Sequence, residues 1–201
     1  MYLIFDVSAN GKPKDYKASP NDLFNWPRLI HISWIVLGED LKPKRDFNCV
    51  IKPEGFSIAD DVVKKHAFDH EKAMAEGDNI KDVLKYFSDD VDEAKYLFAH
   101  NLNFNENIIA AEFKRAEMEH RIFASERLCL MHEGTFYAKI PNRRGGYKWP
   151  SLQQLHAAIF KQGYAPANNA RADVIAASKC FIALHKVGAF DDLYELDQDS
   201  E

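Results

Sequence analysis

The chain begins with the stretch Met1-Tyr2-Leu3-Ile4-Phe5-Asp6, which runs without a polar break to a single carboxylate. Such a run is typical of a strand that is buried on both faces of a sheet. Open α/β sheets bind their ligands at the carboxyl ends of the strands, which is where Asp6 stands. We therefore expect the fold to be built around this strand, with Asp6 at its functional edge.

Composition limits the classes of protein to which this chain can belong. Its 201 residues, 46% of them hydrophobic, fit one domain or one domain with a short tail. The net charge of -5 does not indicate an overall basic nucleic-acid binder, so any contact with nucleic acid has to be a local patch. The odd number of widely spaced cysteines, Cys49, Cys129 and Cys180, favours buried free thiols over a disulfide framework.

The sequence also suggests where the protein is found. No stretch approaches the roughly 20 consecutive apolar residues of a membrane helix. The first strand opens directly, without the basic and apolar regions of a signal peptide. Together with the free thiols, these features predict a cytoplasmic protein that does not contact a membrane.

Hydrophobic periodicity predicts four further strands and six helices. The strands are expected at 28–37, 47–51, 96–99 and 127–131, and the helices at 59–66, 71–76, 79–87, 105–118, 151–160 and 173–185. This order predicts an α/β fold in which helices flank a mixed sheet, with the first strand beside the strand at 96–99. The polar stretch 8–27 is expected to be a long loop, either functional or a solvated linker. Residues 187–201 are predicted to be an acidic tail that follows a domain spanning 1–186.

Three segments carry the candidate functional residues. Asp6 is followed by Ser8 two positions later, and His100-Asn101-Leu102-Asn103-Phe104-Asn105 links a predicted strand to a helix. Asn168 and Asp173 are five residues apart at the start of the last predicted helix. We expect the second and third segments to meet Asp6 at the carboxyl edge of the sheet.

In their order, spacing and local context, these segments resemble the DEDD (DnaQ-like) 3′–5′ exonuclease superfamily. The resemblance is to its histidine-containing branch, typified by the proofreading subunit of bacterial replicative polymerase and by ribonuclease T, and it runs from residue 1 to about residue 186. It implies a ribonuclease H-like fold with a mixed five-stranded sheet. The implied partner is the 3′ end of single-stranded DNA or RNA, and a homodimer is left open, because several relatives are dimers. The implied chemistry uses two divalent metal ions, held by four carboxylates, and a histidine as general base.

Carried over position by position, the resemblance keeps two of these five groups, Asp6 and Asp173, as metal ligands. Ser8 stands in place of the glutamate of the first motif, Asn105 in place of the aspartate of the second, and Asn168 in place of the histidine. These replacements can form hydrogen bonds but supply no charge. Two carboxylates can hold one Mg²⁺ or Mn²⁺ ion at most, so metal binding is expected to be weak or absent. Loss of the general base alone costs about 10²–10⁴-fold in rate.

Two side chains close to the motif positions are candidate substitutes for the lost groups. His100, at a strand end, is expected to make a structural hydrogen bond. Glu106 follows Asn105 directly, and one step along a helix turns a side chain by about 100°. We therefore expect neither residue to restore the site.

A basic and aromatic cluster provides candidate contacts to nucleic acid. Arg143, Arg144 and Lys148 are available for phosphates, and Trp149, together with Phe104 of the second motif, for stacking on bases. The alternative is that Trp149 belongs to the core and the arginines are merely solvated. The sequence thus predicts a member of the exonuclease family that acts on or binds nucleic acid, with catalysis impaired, and leaves its enzymatic activity open. The alternative function is an inactive scaffold with the same fold that binds a protein partner.

Overall fold

The computed structural model describes residues 1–66, 69–166 and 169–191. Over these residues the chain forms a five-stranded sheet in the order β3-β2-β1-β4-β5. Its strands are β1 (Tyr2–Ala9), β2 (Leu29–Leu37), β3 (Pro43–Val50), β4 (Tyr96–Ala99) and β5 (Glu126–Cys129). Strand β1 lies at the centre, antiparallel to β2 and parallel to β4. The prediction of a mixed sheet centred on the first strand is confirmed.

The described residues also form seven α-helices, which flank the sheet. They are α1 (Asp60–His66), α2 (His70–Glu76), α3 (Ile80–Glu93), α4 (Leu102–Ala116), α5 (Leu130–Ala138), α6 (Leu152–Phe160) and α7 (Ala170–Lys186). Within the described part of the chain, none of these helices combines the length and the apolar character that crossing a membrane requires.

Each face of the sheet packs against its own set of helices. Because side chains alternate along a strand, Leu3 and Phe5 of β1 point into a core shared with α3 and α4. Ile4 points into a second core, formed with α6 and α7. The same alternation puts Asp6 and Ser8 on the face of α7, just beyond that core. The unbroken apolar run of β1 is thus explained by burial on both faces.

Helix α5 was not predicted from the sequence. The strand expected at 127–131 ends at Cys129, and α5 begins at the next residue. Gly134 weakens the helical pattern, because glycine costs about 1 kcal/mol relative to alanine inside a helix. A Cβ atom at Gly134 would lie 2.7 Å from Cδ1 of Leu155 in α6. The glycine therefore allows α5 and α6 to pack closely, at the expense of local helix propensity.

The long loop between β1 and β2 is packed against α4. Trp26 is 2% exposed, and its backbone carbonyl accepts a hydrogen bond from Arg115 of α4 at 2.6 Å. Arg115 is also paired with the buried carboxylate of Glu112, which holds Arg28 at 2.8 Å as well. An arginine pair on a buried carboxylate compensates the charge that burial would otherwise penalise. Because of these anchors, the loop is a structured part of the domain rather than a solvated linker.

The described end of the chain folds back onto the sheet. Phe190 is 1% exposed, and its ring centroid lies 5.3 Å from that of Phe98 and 5.5 Å from that of Phe181. Residues 192–201 of the predicted acidic tail lie outside the described residues. The domain boundary at residue 186 stays a prediction.

All three cysteines, Cys49, Cys129 and Cys180, are buried and free, as their spacing predicts. Burial raises the pKa of the Cys49 thiol to about 11 and that of the Cys180 thiol to about 12. Both thiols are therefore neutral near physiological pH, where the thiolate would be the reactive form.

Candidate active-site cleft

A cleft of about 370 Å³ opens at the carboxyl edge of β1 and β4. The two strands are parallel, so their carboxyl ends meet there. The lining of the cleft includes Asp6, Ser8, Lys12, Tyr16, Phe104, Asn105, Gln153, Tyr164 and Asp173. Four of the five motif positions are therefore brought together, and the fifth, Asn168, lies outside the described residues.

Two helices begin at this cleft, and their first turns carry its functional positions. Asn101 adopts a left-handed conformation, with φ 62° and ψ 55°, which asparagine tolerates better than most residues. This turn starts α4 directly after β4 and puts Asn105 in the first turn. Asn169 caps α7 by accepting hydrogen bonds from the backbone N–H groups of Arg171 and Ala172. Asp173 therefore lies in the first turn of α7.

The amide of Asn105 is saturated by backbone groups. Its Oδ1 accepts a hydrogen bond from the N–H of Val7 at 2.8 Å. Its Nδ2 donates to the carbonyl oxygens of His100 at 2.9 Å and Asn101 at 3.2 Å. The side chain is 2% exposed and joins β1 to the turn between β4 and α4. An ionised carboxylate at this position has no N–H groups to give to those two carbonyls.

Asp6 and Asp173 form an acidic pair across the cleft. Burial raises the pKa of the Asp6 carboxyl well above its ordinary value, and the charge of Asp173 raises it further. The nearby amide of Asn105 acts in the opposite direction and lowers this pKa. Burial and a neighbouring like charge both disfavour the ionised form, so Asp6 retains a proton at pH values where an exposed aspartate has lost it.

Tyr164 contacts the acidic pair directly, although it belongs to no sequence motif. Its hydroxyl group donates a hydrogen bond to Oδ1 of Asp173 at 2.6 Å. Burial and the neighbouring carboxylate raise the pKa of Tyr164, so the hydroxyl stays protonated and acts as a donor. The Gln153 side chain holds the Tyr164 backbone through hydrogen bonds of 2.5 and 3.3 Å. Nothing in the sequence signals this contact, because Tyr164 precedes Asp173 by nine positions and lies in an irregular segment.

The ligand set does not fit a two-metal site. Among the residues that the structure describes, no group of three or more His, Cys, Asp or Glu side chains could hold a metal ion. Asp6, Asp173 and the hydroxyl group of Ser8 can offer oxygen atoms to one hard cation, which would keep several water ligands. Asn105 uses both its N–H groups and an oxygen lone pair for the backbone contacts described above.

His100 and Glu106, the two candidate substitutes, make structural contacts. The Nε2 atom of His100 lies 3.0 Å from the carbonyl oxygen of Pro150, to which it donates, and so connects the end of β4 to the start of α6. Burial lowers the pKa of His100 to about 4, so the ring is neutral near physiological pH. Glu106 forms an ion pair with Arg127 at 2.8 Å, in agreement with the turn of the helix away from Asn105. His100 lines the cleft, and these contacts commit its Nε2 atom and the Glu106 carboxylate to structural partners.

The predicted nucleic-acid contacts divide into two groups. Phe104 lies in the cleft, with its ring centroid 6.4 Å from that of Tyr16. Arg143, Arg144 and Lys148 lie outside the cleft and are exposed. The second group belongs to an exposed loop at 139–149, which we call the basic hairpin.

The basic hairpin is a structured turn between α5 and α6. Pro141 pairs with Tyr147 across it, and Gly145 and Gly146 adopt φ values of 91° and 70°. Only glycine adopts such angles at little cost, so these residues make the turn possible. Trp149 is 62% exposed, and its ring centroid lies 4.6 Å from that of His132 on α5. The alternative in which Trp149 belongs to the core is therefore wrong.

Comparison with known proteins identifies the fold. No family model matches the chain, and no curated protein matches it by sequence. Among solved structures, E. coli exonuclease I in complex with a dA16 oligonucleotide superposes with a TM-score of 0.74 at 16% identity, over 96% of this chain and 42% of that chain. A product-bound exonuclease I gives 0.73 at 15% identity, over 96% of this chain and 46% of the other.

A third match is the exonuclease I of Methylocaldum szegediense, with a TM-score of 0.70 at 15% identity, over 96% of this chain and 42% of that chain. The chain thus shares the α/β fold of these exonuclease I structures, with a mixed five-stranded sheet flanked by helices. It spans less than half the length of the exonuclease I chains that it matches. At these identities the likeness defines the fold, and the histidine-containing branch stays a prediction.

Proposed function

We propose that this chain binds single-stranded DNA or RNA in the cleft, with the 3′ end at Asp6 and Asp173 when a strand ends there, and hydrolyses it slowly or not at all. One observation carries the proposal: Asp6, Ser8, Asn105 and Asp173 line one cleft, and only two of them are carboxylates. The solved exonuclease I structures include complexes with dA16 and dT13 oligonucleotides, which supports a nucleic-acid ligand for the same fold.

Binding is supported by the side chains around the acidic pair. Phe104 and Tyr16 offer two rings at the cleft, and Lys12 at its edge offers a cation to a phosphate. Stacking of a base on an aromatic ring is worth about 1–3 kcal/mol and tolerates any base. The exposed Trp149 of the basic hairpin adds a further ring outside the cleft. These contacts require no metal ion.

Impaired hydrolysis follows from the side chains that would have to perform it. In the family, a pair of divalent ions supplies a Lewis acid and lowers the pKa of bound water. Here one Mg²⁺ or Mn²⁺ could be held by Asp6 and Asp173, while Ser8 contributes no charge and Asn105 is engaged with the backbone. The two-ion arrangement does not fit, so we infer that metal binding is weak or absent.

The test of the proposed function is the salt dependence of oligonucleotide binding. A fluorescently labelled single-stranded oligonucleotide is titrated with the protein in chelator-containing buffer, and anisotropy is recorded between about 50 and 200 mM salt. We expect measurable affinity that falls steeply with salt, because phosphate contacts release counterions. If the protein does not bind the oligonucleotide even at low salt, the proposal is overturned. The alternative, a scaffold that binds a protein partner, would then be favoured.

Two further properties belong to the same proposal. A cytoplasmic location is supported by the three buried free thiols, which suit a reducing compartment. A homodimer is implied only by the family resemblance. Light scattering coupled to size-exclusion chromatography measures the mass in solution and decides between one copy and two.

A further inference from the structure

We propose that the cleft is a passage open at two ends, so that the interior of a single strand can lie across Asp6 and Asp173 without a terminus. This inference rests on the proposed function, because it assumes that the ligand is a single strand. It is carried by a second groove, which the proposed function does not use. We call it the α4 groove, and it lies between helix α4 and the loop segment 16–21.

The α4 groove adjoins the cleft. Its volume is about 640 Å³, and Tyr16 lines both the groove and the cleft. On α4, Asn103 lines the groove and the next residue, Phe104, lines the cleft. The groove is therefore the neighbouring depression for a strand that leaves the cleft beside Tyr16 and Phe104.

The groove is long enough for several nucleotides. It follows α4 from Asn103 to Lys114, and eleven residues of helix span about 16 Å. A stacked strand advances about 3.4 Å per nucleotide, so this length accommodates about four or five. The groove is therefore of a size to hold strand beyond the nucleotides in the cleft.

The side chains of the α4 groove suit unpaired bases and phosphates. Tyr16 and Phe123 are 46% and 41% exposed and offer ring faces. The exposed Asn103 offers an amide group to base edges, and Lys17 and Lys114 offer cations, in the manner of single-strand binding surfaces.

Two glutamates also line the groove, and they limit its positive charge. The carboxylate of Glu106 is paired with Arg127 at 2.8 Å, so its charge is compensated. Glu119 lies at the end of the groove that is farther from the cleft, just after the end of α4. We therefore expect stacking and amide contacts to contribute more here than phosphate contacts.

The two approaches to the cleft lie on opposite faces of the sheet. Helix α4 packs on the face that carries Leu3 and Phe5. The basic hairpin connects α5 to α6, and α6 packs on the face that carries Ile4. A strand that contacts both the hairpin and the α4 groove must therefore cross the edge of the sheet, where Asp6 and Asp173 lie. A site that bound only the end of a strand would need a single entrance.

Circular DNA provides the decisive probe, because it has no end. A circular single-stranded DNA of about 60 nucleotides and its linear form are compared by competition anisotropy in chelator-containing buffer. We expect their dissociation constants to agree within about threefold. A circle that binds more than about tenfold more weakly than the linear form would overturn the passage and leave the proposed function intact. Failure of both to bind would overturn the proposed function, and this inference with it.

A pair of lysine variants tests the groove itself. Lys17→Ala with Lys114→Ala removes two exposed cations of the groove, and Lys81→Ala with Lys186→Ala removes two exposed cations elsewhere as a matched control. We expect the groove variant to bind the circle about threefold to tenfold more weakly, with a smaller salt dependence, and the control to bind like the wild type. If the two variants bind the circle with equal affinity, the proposal that the α4 groove contacts the strand is overturned. Thermal unfolding shows that both variants are folded.

Discussion

The side-chain oxygen of Asn105 accepts a hydrogen bond from the backbone N–H of Val7 at 2.8 Å, and this contact joins the central strand to the helix that begins beside it. The same amide donates to two backbone carbonyls. The side chain therefore holds together the two elements that form the cleft. We interpret Asn105 as a residue that stabilises the fold through these hydrogen bonds and that supplies no charge for holding a metal ion.

The first prediction concerns this contact. Asn105→Asp is expected to lower the free energy of unfolding by about 1–3 kcal/mol in chelator-containing buffer, because two backbone carbonyls lose their donor. The new charge also lies near Asp6 and Asp173, which adds repulsion. Urea denaturation near neutral pH measures the difference. Asn103→Asp, at an exposed position two residues earlier, is the matched control, and equal stability of the two variants would refute the interpretation.

The second prediction concerns the hydroxyl group that contacts the acidic pair. Tyr164→Phe removes the hydrogen bond to Asp173 and keeps the ring, so we expect a loss of about 1 kcal/mol in the free energy of unfolding. Tyr86→Phe, at a half-exposed tyrosine of α3, provides the control and should change stability very little. If the two substitutions have the same effect, the contact with Asp173 does not stabilise the fold.

The third prediction concerns pH. The pKa of Asp6 is higher in the folded than in the unfolded protein, so the folded state binds more protons at pH values between the two. The free energy of unfolding must then decrease as the pH rises from the pKa of Asp6 in the unfolded state, about 4, through its raised pKa in the folded state. Asp6→Asn removes the titrating group, so its free energy of unfolding should not decrease over this pH range. At pH values above the range, the variant should be more stable than the wild type. Parallel pH dependences of the two proteins would contradict the raised pKa.

The fourth prediction concerns the basic hairpin. Trp149→Ala is expected to weaken the binding of a single-stranded oligonucleotide by about tenfold, because stacking on one base is worth about 1–3 kcal/mol. Arg143→Ala with Arg144→Ala should reduce affinity and also the dependence on salt. Phe24→Ala removes a ring that is 92% exposed on the β1–β2 loop and serves as control. Anisotropy titrations measure all three, and an effect of Phe24→Ala equal to that of Trp149→Ala would argue against a specific contact.

The elements of the fold that could be predicted from the sequence are those whose residue pattern has a single physical explanation. The stretch 1–6 and the strand at 96–99 are apolar without a break because both faces of the sheet are covered. Asp6 and Asp173 could be placed at one edge because the carboxyl ends of parallel strands and the first turns of helices meet there. Helix α5 escaped prediction because Gly134 serves the contact with Leu155 and weakens the local signal.

The parts of the site that could not be predicted depend on tertiary contacts. Tyr164 reaches Asp173 from an irregular segment whose position is fixed by Gln153, and no periodicity encodes that contact. The exposure of Trp149 depends on the turn at Gly145 and Gly146, which carries the chain away from the core. The α4 groove exists because the β1–β2 loop is anchored to that helix by buried side chains, which sequence spacing does not reveal.

The most direct test of the central claim is hydrolysis of a 5′-labelled single-stranded oligonucleotide in the presence of Mg²⁺ or Mn²⁺. The wild type is compared with the variant Ser8→Glu, Asn105→Asp, Asn168→His, and each protein with its own Asp6→Ala derivative. The account predicts that the triple variant shortens the oligonucleotide in a reaction that requires the metal and is lost with Asp6→Ala. The wild type is expected to be at least about 10²-fold slower than the triple variant, or inactive. Metal-dependent shortening by the wild type at a rate similar to that of the triple variant, abolished by Asp6→Ala, would contradict the account, because it would show that the two remaining carboxylates are sufficient for full catalysis.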